Sequence, residues 1–284
     1  MFPGRERRRE GSVVRDPWLN WLEPVRALAA EASERILDIY ATAFEVTAKD
    51  DDSPLTAADL AAHHAIVAGL QRLTPDVPVL SEESASIPFA ERARWGRYWL
   101  VDPLDGTKEF VQRNGQFTVN IALIEDHAPV LGVVRVPVTG LCYFAARGHG
   151  AFREDLGQPP QPIAVRPLQP GAPVRVVGSK SHGGPGLQKF VAALGAHELV
   201  TIGSSLKLCQ VAEGAADVYP RLGPTSEWDT AAAQCVVEVA GGRVVSAATG
   251  EPLRYNTRDS VLNPYFIVCG DARHDWLKYV PRED

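Results

Sequence analysis

Residues 97–154 read as strand after strand, and that run restricts the fold more than any other feature. "RYWLVDPLDGT" is an apolar run that ends in acids. "FTVNIALIEDHAPVLGVVRVP" reads as two strands joined by a polar turn, and "GLCYFAARGHGAF" as a hairpin turning at residues 147–150. Helices precede this sheet. From Leu22 the apolar residues fall at Leu22, Val25, Ala29, Ala32, Ile36, Ile39 and Ala43. Those steps of three and four mark one face of a long helix. A charged, proline-containing loop follows, then a second helix lined by Leu60, Val67 and Leu70, with Thr56 and Asp59 in capping-box spacing. "VPVLSEES" is a short strand that also ends in acids. Helices first and antiparallel strands after predict an α+β unit over residues 17–158.

"DLGQPPQPIAVRPLQPGAP" marks a boundary, and beyond it the pattern changes. Strands "VRVVG", "ELVTIG" and "VYPRL" alternate with helices "GPGLQKFVAALG", "SSLKLCQVAEGAAD" and "WDTAAAQCVVEVAGG", and "RVVSA" and "YFIVCG" finish as strands. This alternation predicts an α/β unit over residues 159–284. The basic opening, "MFPGRERRREGSVVRDP", lacks the apolar segment of a secretory signal and reads as a disordered arm over residues 1–16. No stretch is apolar for long enough to span a bilayer.

Composition limits the partners. With a net charge of −6 over 284 residues, neither a nucleic-acid coat nor an anionic membrane is the expected partner. A small anionic substrate would need local cations or metal ions. Cys142, Cys209, Cys235 and Cys269 stand far apart in apolar runs with no Cys-x-x-Cys pair, so buried free thiols in a reducing cytosol are expected.

The acids that end these runs each have an ordinary reading. Glu82 and Glu83 read as a solvated strand end, Asp102 and Asp105 as turn formers beside Pro103 and Gly106. Asp229 reads as an N-cap for "TAAAQCVV", and Asp59 as the acid of a capping box. Taken together, they sit at element ends, where loops converge on a cleft. Hard cations such as Mg²⁺ take oxygen ligands. Two acids three apart around a tight turn can each reach a different ion, the Leu104 carbonyl is free to join them, and Gly106 has no Cβ to obstruct close approach. "GSSLK" sets Ser204 and Ser205 at a helix start, where free N–H groups favour phosphate, and Lys207 adds a cation there or a solvated helix charge. His182 reads as an exposed loop histidine, and His63 and His64 as surface or packing residues.

"SEES", "WLVDPLDGTKEF" and "EWDTAA" resemble the three metal-binding motifs of the lithium-sensitive, Mg²⁺-dependent phosphatase superfamily, which includes inositol monophosphatases and fructose-1,6-bisphosphatases. "DGTKEF" and "GSSLK" resemble its 3′(2′),5′-bisphosphate nucleotidase branch, since inositol monophosphatases usually continue with Thr-Asn-Phe. The likeness runs from about Trp18 to the end and leaves out the arm and the proline-rich boundary. The loop "KDDDSPL" is more acidic than that pattern.

The resemblance implies a layered α/β/α/β/α sugar-phosphatase (inositol monophosphatase-like) fold with two subdomains. It implies two or three Mg²⁺ ions on Glu82, Asp102, Asp105, Asp229 and the Leu104 carbonyl, with Glu83 supporting Glu82. Asp59 and Thr107, with Glu82, would orient and deprotonate the attacking water. Lys49, Gly106, Thr107, Lys108, Ser181, His182, Gly203, Ser204, Ser205, Lys207, Arg221 and Asp229 would face the substrate. The implied reaction removes the 3′-phosphate of adenosine 3′,5′-bisphosphate, and also acts on 3′-phosphoadenosine 5′-phosphosulfate, in sulfur assimilation. An inositol or sugar phosphatase is the alternative of the same chemistry, and a non-catalytic nucleotide sensor the alternative of another class. The implied partner is a small nucleotide bisphosphate, with no nucleic acid and no integral membrane segment. The chain would be a cytoplasmic monomer or homodimer, with peripheral inner-membrane association left open.

Overall fold

The helical face expected from Leu22 forms α1, Leu22–Tyr40, in a computed structural model that describes residues 17–42, 54–178 and 184–281. Its buried residues, Leu22, Val25, Ala29, Ala32, Ser33 and Ile36, keep the three- and four-step spacing. Ala43 and the arm of residues 1–16 lie outside the described residues.

Two expectations are corrected by α2, Pro54–Leu73. Thr56 and Asp59 sit inside this helix, so they do not form its capping box. Its buried stripe is Ala58, Ala62, Ile66 and Leu70, while Leu60 is exposed. Small residues take the inner face because α1 lies close: a Cβ on Gly69 would come within 2.1 Å of a Leu28 methyl.

The chain continues through β1 (Val79–Ser81), a 3₁₀ turn at Glu82–Ser84, α3 (Phe89–Arg92), β2 (Arg97–Asp105), α4 (Thr107–Val111), β3 (Thr118–Glu125) and β4 (Ala128–Arg135). β5 (Cys142–Ala146), β6 (Gly150–Glu154) and β7 (Gln161–Pro162) complete a seven-stranded sheet in chain order. β1 runs parallel to β2, and the other neighbours are antiparallel. Asp126 and His127, both left-handed with φ of 48° and 64°, close the tight β3–β4 hairpin. β7 still pairs with β6, so this sheet takes residues from beyond position 158.

The second sheet is built from β8 (Val174–Gly178), α5 (Pro185–Leu194), β9 (His197–Thr201), α6 (Leu206–Ala212), β10 (Val218–Arg221), α7 (Trp228–Val239), β11 (Arg243–Ser246) and β12 (Phe266–Cys269). Its strand order is β11-β12-β10-β8-β9. β8 is parallel to both β9 and β10, while β12 runs antiparallel to β10 and β11.

Strand alternation divides the apolar residues into three cores. Trp99, Val101 and Ile121 face α1 and α2. Tyr98, Leu100 and Ala122 face α6, α7 and the inner side of the second sheet. Val176, Val218 and Ile267 face α5 and the C-terminal segment. The result is the five-layer α/β/α/β/α arrangement. Each fully buried large side chain contributes about 1.5–3 kcal/mol. All four cysteines are buried and free. Among the described residues, no helix is long and apolar enough to cross a membrane.

Candidate active site

Asp102 and Asp105 share one face of the first sheet because β2 carries an extra residue. Asp102 lies opposite Asn120 and Asp105 opposite Thr118, three steps on β2 against two on β3. In a regular strand, residues three apart point to opposite faces. The bulge restores the match and returns Asp105 to the side of Asp102. Pro103, with no N–H for the ladder, stands inside it. The side chain of Leu104 goes the other way, into the core with α1 and α2, and its N–H donates to Asp102 Oδ1 at 3.0 Å. The two acids therefore end a strand and do not form the expected turn. The chain turns one residue later, at Gly106, whose φ of 102° is left-handed and where a Cβ would press on Phe117 at 3.2 Å.

Three further acids come from other elements. Glu82 follows β1, one step past the Ser81–Val101 pair, and so lies alongside Asp102. Asp59 comes from α2 and Asp229 from the first turn of α7. That helix begins at Trp228, so Asp229 is not its N-cap; its carboxylate instead accepts the Ser226 N–H at 2.9 Å.

Burial raises every one of these carboxyls, and neighbouring carboxylates raise them further. Asp102 is pushed well up by burial, then by Asp105, Glu82, Asp229 and Asp59. Glu82 goes up to about 7 through burial, Glu83 and Asp105. Asp229 goes up to about 7 through burial and Asp105, with the Ser226 N–H opposing. Asp59 reaches about 8 through burial, Glu83 and Glu82. Asp105 is also raised by burial, though Lys207 and the Ser205 N–H oppose the shift.

Five crowded acids call for positive charge, and Asp59 Oδ1 is buried without a hydrogen-bond partner. Among the described residues, no three Asp, Glu, His or Cys side chains close into a ready-made metal cage. An open set of oxygen donors is what Mg²⁺ accepts, because it keeps several waters and takes only one or two carboxylates beside substrate phosphate. The donor set therefore fits that ion.

The cationic side of the site is built on the turn between β9 and α6. A Cβ on Gly203 would stand 2.6 Å from Glu109 Cγ and 2.8 Å from the Gln116 carbonyl, so glycine is required for the turn to lie against β3's approach. Ser204 is left-handed with φ 47°, a strained state for a residue with a Cβ. Lys207 Nζ clamps it by donating to the Ser204 carbonyl at 3.0 Å. Lys207 is only 7% exposed, so it is not a solvated helix charge. Burial lowers its pKa and Asp105 opposes that shift.

Ser205 departs from expectation. Its hydroxyl is turned inward, donating to Asn120 Oδ1 at 2.8 Å and lying 2.9 Å from Thr118 Oγ1. Its N–H donates to Asp105 Oδ2 at 2.5 Å. Ser205 thus holds one oxygen of Asp105, and its hydroxyl is engaged with Asn120 and Thr118 at the edge of the cleft.

Lys207, Arg221, Asp105, Asp229, Gly106 and Lys108 line one cleft of about 240 Å³. Arg221 donates to the Pro224 carbonyl at 2.8 Å, and its Nε is buried without a partner. Thr107, the first residue of α4, is exposed, and α2 packs against that helix. Lys49, Ser181 and His182 lie outside the described residues. His63 has a packing role, with Nδ1 2.8 Å from Ser81 Oγ. Thr118 and Asn120, which hold Asp105 and Ser205, carried a signal in the sequence: two polar residues at strand spacing inside the apolar run "FTVNIALI".

The sequence pattern of the inositol monophosphatase family matches residues 19–276. The chain is 52% identical over 249 residues to the 3′(2′),5′-bisphosphate nucleotidase CysQ of Salmonella typhimurium, covering 87% of this chain and 98% of that protein. It is 51% identical, with the same coverage, to the enzyme of that name from Escherichia coli K12. Among solved structures, CysQ from Bacteroides thetaiotaomicron, described as a bacterial inositol monophosphatase family member, superposes with a TM-score of 0.80 at 42% identity over 89% of this chain and 98% of that one. An inositol monophosphatase from Zymomonas mobilis shares the fold, with a TM-score of 0.76 at 23% identity over 93% and 99%.

Proposed function

This chain belongs to the inositol monophosphatase family, and we propose from that premise that it is a 3′(2′),5′-bisphosphate nucleotidase that hydrolyses adenosine 3′,5′-bisphosphate to AMP and inorganic phosphate. The observation that carries the reading is the identity of about half the residues with nucleotidases of that name, across nearly their whole length. The site supports it, because Lys207 and Arg221 share a cleft with Asp105 and Asp229. Two cations beside the acids suit a substrate with a second phosphate better than an inositol monophosphate. The same site would accept 3′-phosphoadenosine 5′-phosphosulfate, which places the enzyme in the recycling of sulfur-assimilation nucleotides.

Glu82, Asp102, Asp105, Asp229 and the Leu104 carbonyl would hold two or three Mg²⁺ ions. When bound, Mg²⁺ neutralises the acids and supplies Lewis-acid polarisation of the phosphoryl and ribose oxygens. Asp59 is the proton acceptor. Burial, Glu83 and Glu82 raise its pKa to about 8 in the metal-free chain. With the neighbouring negative charge offset by bound Mg²⁺, Asp59 is ionised and accepts the proton near neutral pH. Thr107, on the helix next to α2, orients that water. Water attacks phosphorus in line and gives a proton to Asp59, the P–O3′ bond breaks, and the leaving ribose oxygen takes a proton from solvent. Ser204, Lys207, Arg221, Ser181 and His182 receive the nucleotide, with Lys49, Gly106 and Lys108 at the phosphate. The two sheets serve as metal-binding and nucleotide-binding subdomains of a cytoplasmic monomer or homodimer.

Phosphate release from adenosine 3′,5′-bisphosphate, AMP and inositol 1-phosphate, with and without Mg²⁺, tests the reading. The expected result is Mg²⁺-dependent release from the bisphosphate far above the other two. Faster release from inositol 1-phosphate overturns the substrate, and no release from any of the three overturns the enzyme.

A further inference from the structure

A second network of buried polar groups joins Glu227, the first residue of "EWDTAA", to Arg92 and Asn256, which lie outside all three motifs. Arg92, Asn256 and Glu227 are 2%, 1% and 2% exposed. Arg92 Nη1 donates to Asn256 Oδ1 at 2.6 Å, and Asn256 Nδ2 donates back to the Arg92 carbonyl at 2.6 Å. The Asn256 N–H is shared by both carboxylate oxygens of Glu227, at 2.9 Å each. Arg92 also donates to the carbonyls of Arg258 and Asp259. Further along the same loop, Asn263 Nδ2 donates to the Ser226 carbonyl at 2.7 Å and lies 3.0 Å from Thr230 Oγ1. The Asn263 N–H donates to the Thr225 carbonyl, and the Glu227 N–H to the Val261 carbonyl, both at 2.8 Å.

These bonds take hold of residues 225, 226, 227 and 230, the turn that aims Asp229. The Ser226 N–H, within the held segment, is the donor that fixes the Asp229 carboxylate. Stability alone does not account for the arrangement. Burying a guanidinium and a carboxylate costs several kcal/mol that well-packed apolar side chains would avoid. Asn256 also adopts φ 55°, a left-handed state that asparagine tolerates better than most residues.

We propose that Asn256, with Glu227 and Arg92, is a positioning residue for Asp229: the loop of residues 255–263 locks the first turn of α7 so that this carboxylate meets Mg²⁺ at a fixed place. The inference rests on the metal reading given under Proposed function. Partners that hold a ligand in place typically alter metal affinity by about 10–100-fold. Asn256 and Glu227 act on Asp229 through the turn of residues 225–227, so the lower end of that range applies.

The test measures the Mg²⁺ dissociation constant by calorimetry, with MgCl₂ titrated into chelator-stripped full-length protein. Asn256→Gly keeps the left-handed backbone accessible and removes both side-chain bonds to Arg92. It should weaken Mg²⁺ about tenfold or more. Glu227→Gln keeps one oxygen acceptor for the Asn256 N–H, folds under milder strain, and should weaken Mg²⁺ by roughly threefold or more. Arg166→Ala breaks the ion pair to buried Asp217 far from the site and should lower the melting temperature with no change in Mg²⁺ affinity. If Asn256→Gly does not fold, Glu227→Gln decides. Affinities in the folded variants within about twofold of wild type overturn the inference and leave the metal reading standing. A wild type that takes up no Mg²⁺ overturns the metal reading and this inference with it.

Discussion

Asp229→Asn should make the metal-free protein more stable, although it alters a hydrogen-bonding residue in the first turn of α7. The bond itself survives, because the amide oxygen of asparagine accepts the Ser226 N–H as the carboxylate does. What is removed is charge. Burial, with Asp105 beside it, lifts the Asp229 carboxyl from its ordinary 3.8 to about 7. The folded chain therefore holds its proton where the unfolded chain has lost it. Below about pH 4 both states are protonated and the group costs nothing. As pH rises toward 7 the unfolded state is favoured more and more, and above 7 the full penalty applies. At about 1.4 kcal/mol per tenfold change in acidity, the ceiling is about 4 kcal/mol. Asp229 keeps part of its surface open to the cleft, where solvent screens it, so a net gain of about 1–3 kcal/mol is expected at pH 8. That corresponds to about 2–6 °C in melting temperature. Wild type and variant are melted in chelator at pH 4.5 and pH 8, then at pH 8 across a Mg²⁺ titration. The gap should be small at pH 4.5 and open at pH 8. Mg²⁺ should then stabilise wild type by mass action and the variant much less, so that the ranking narrows or inverts. A variant that melts below wild type in chelator at pH 8, and gains as much from Mg²⁺, would show that Asp229 is a structural residue of α7 and not a ligand.

Asp105→Asn should cut turnover by about 100-fold or more at saturating Mg²⁺ while circular dichroism stays native, since a neutral amide is a poor substitute for a ligating carboxylate; wild-type kcat in this variant would refute the metal assignment. Lys207→Ala should raise KM for the bisphosphate by about 10–100-fold, equivalent to 1.5–3 kcal/mol for a lost charge-assisted bond, with a smaller effect on kcat. An unchanged KM would leave Lys207 only its clamp on the Ser204 carbonyl. Ser205→Ala leaves Asn120 Oδ1 without its donor inside the protein and should cost about 1–3 kcal/mol in urea denaturation. Full stability with a large rise in KM would mean instead that the hydroxyl faces substrate.

The order of the elements and the identity of the acids were legible in the residues, because both are written locally. Three- and four-step spacing marks α1 whatever it packs on, and alternation around short polar turns marks β3 to β6. The motif around "DPLDGT" carries its acids in one short window, so the chemistry of the site could be read there. The geometry could not. Asp102 and Asp105 reach the same face only because β2 bulges against Asn120 and Thr118, and strand register is a property of the pair of strands. Leu60 reads as a core residue until α1 is in place, and Gly69 decides otherwise by letting the two helices close. Ser205 stands in a phosphate-binding pattern, yet its hydroxyl turns to Asn120, 85 residues back in the chain. The hold of Arg92 on Asn256 spans 164 residues. No local pattern announces either bond, because each exists only where burial strips two distant polar groups of water and leaves them one another as partners.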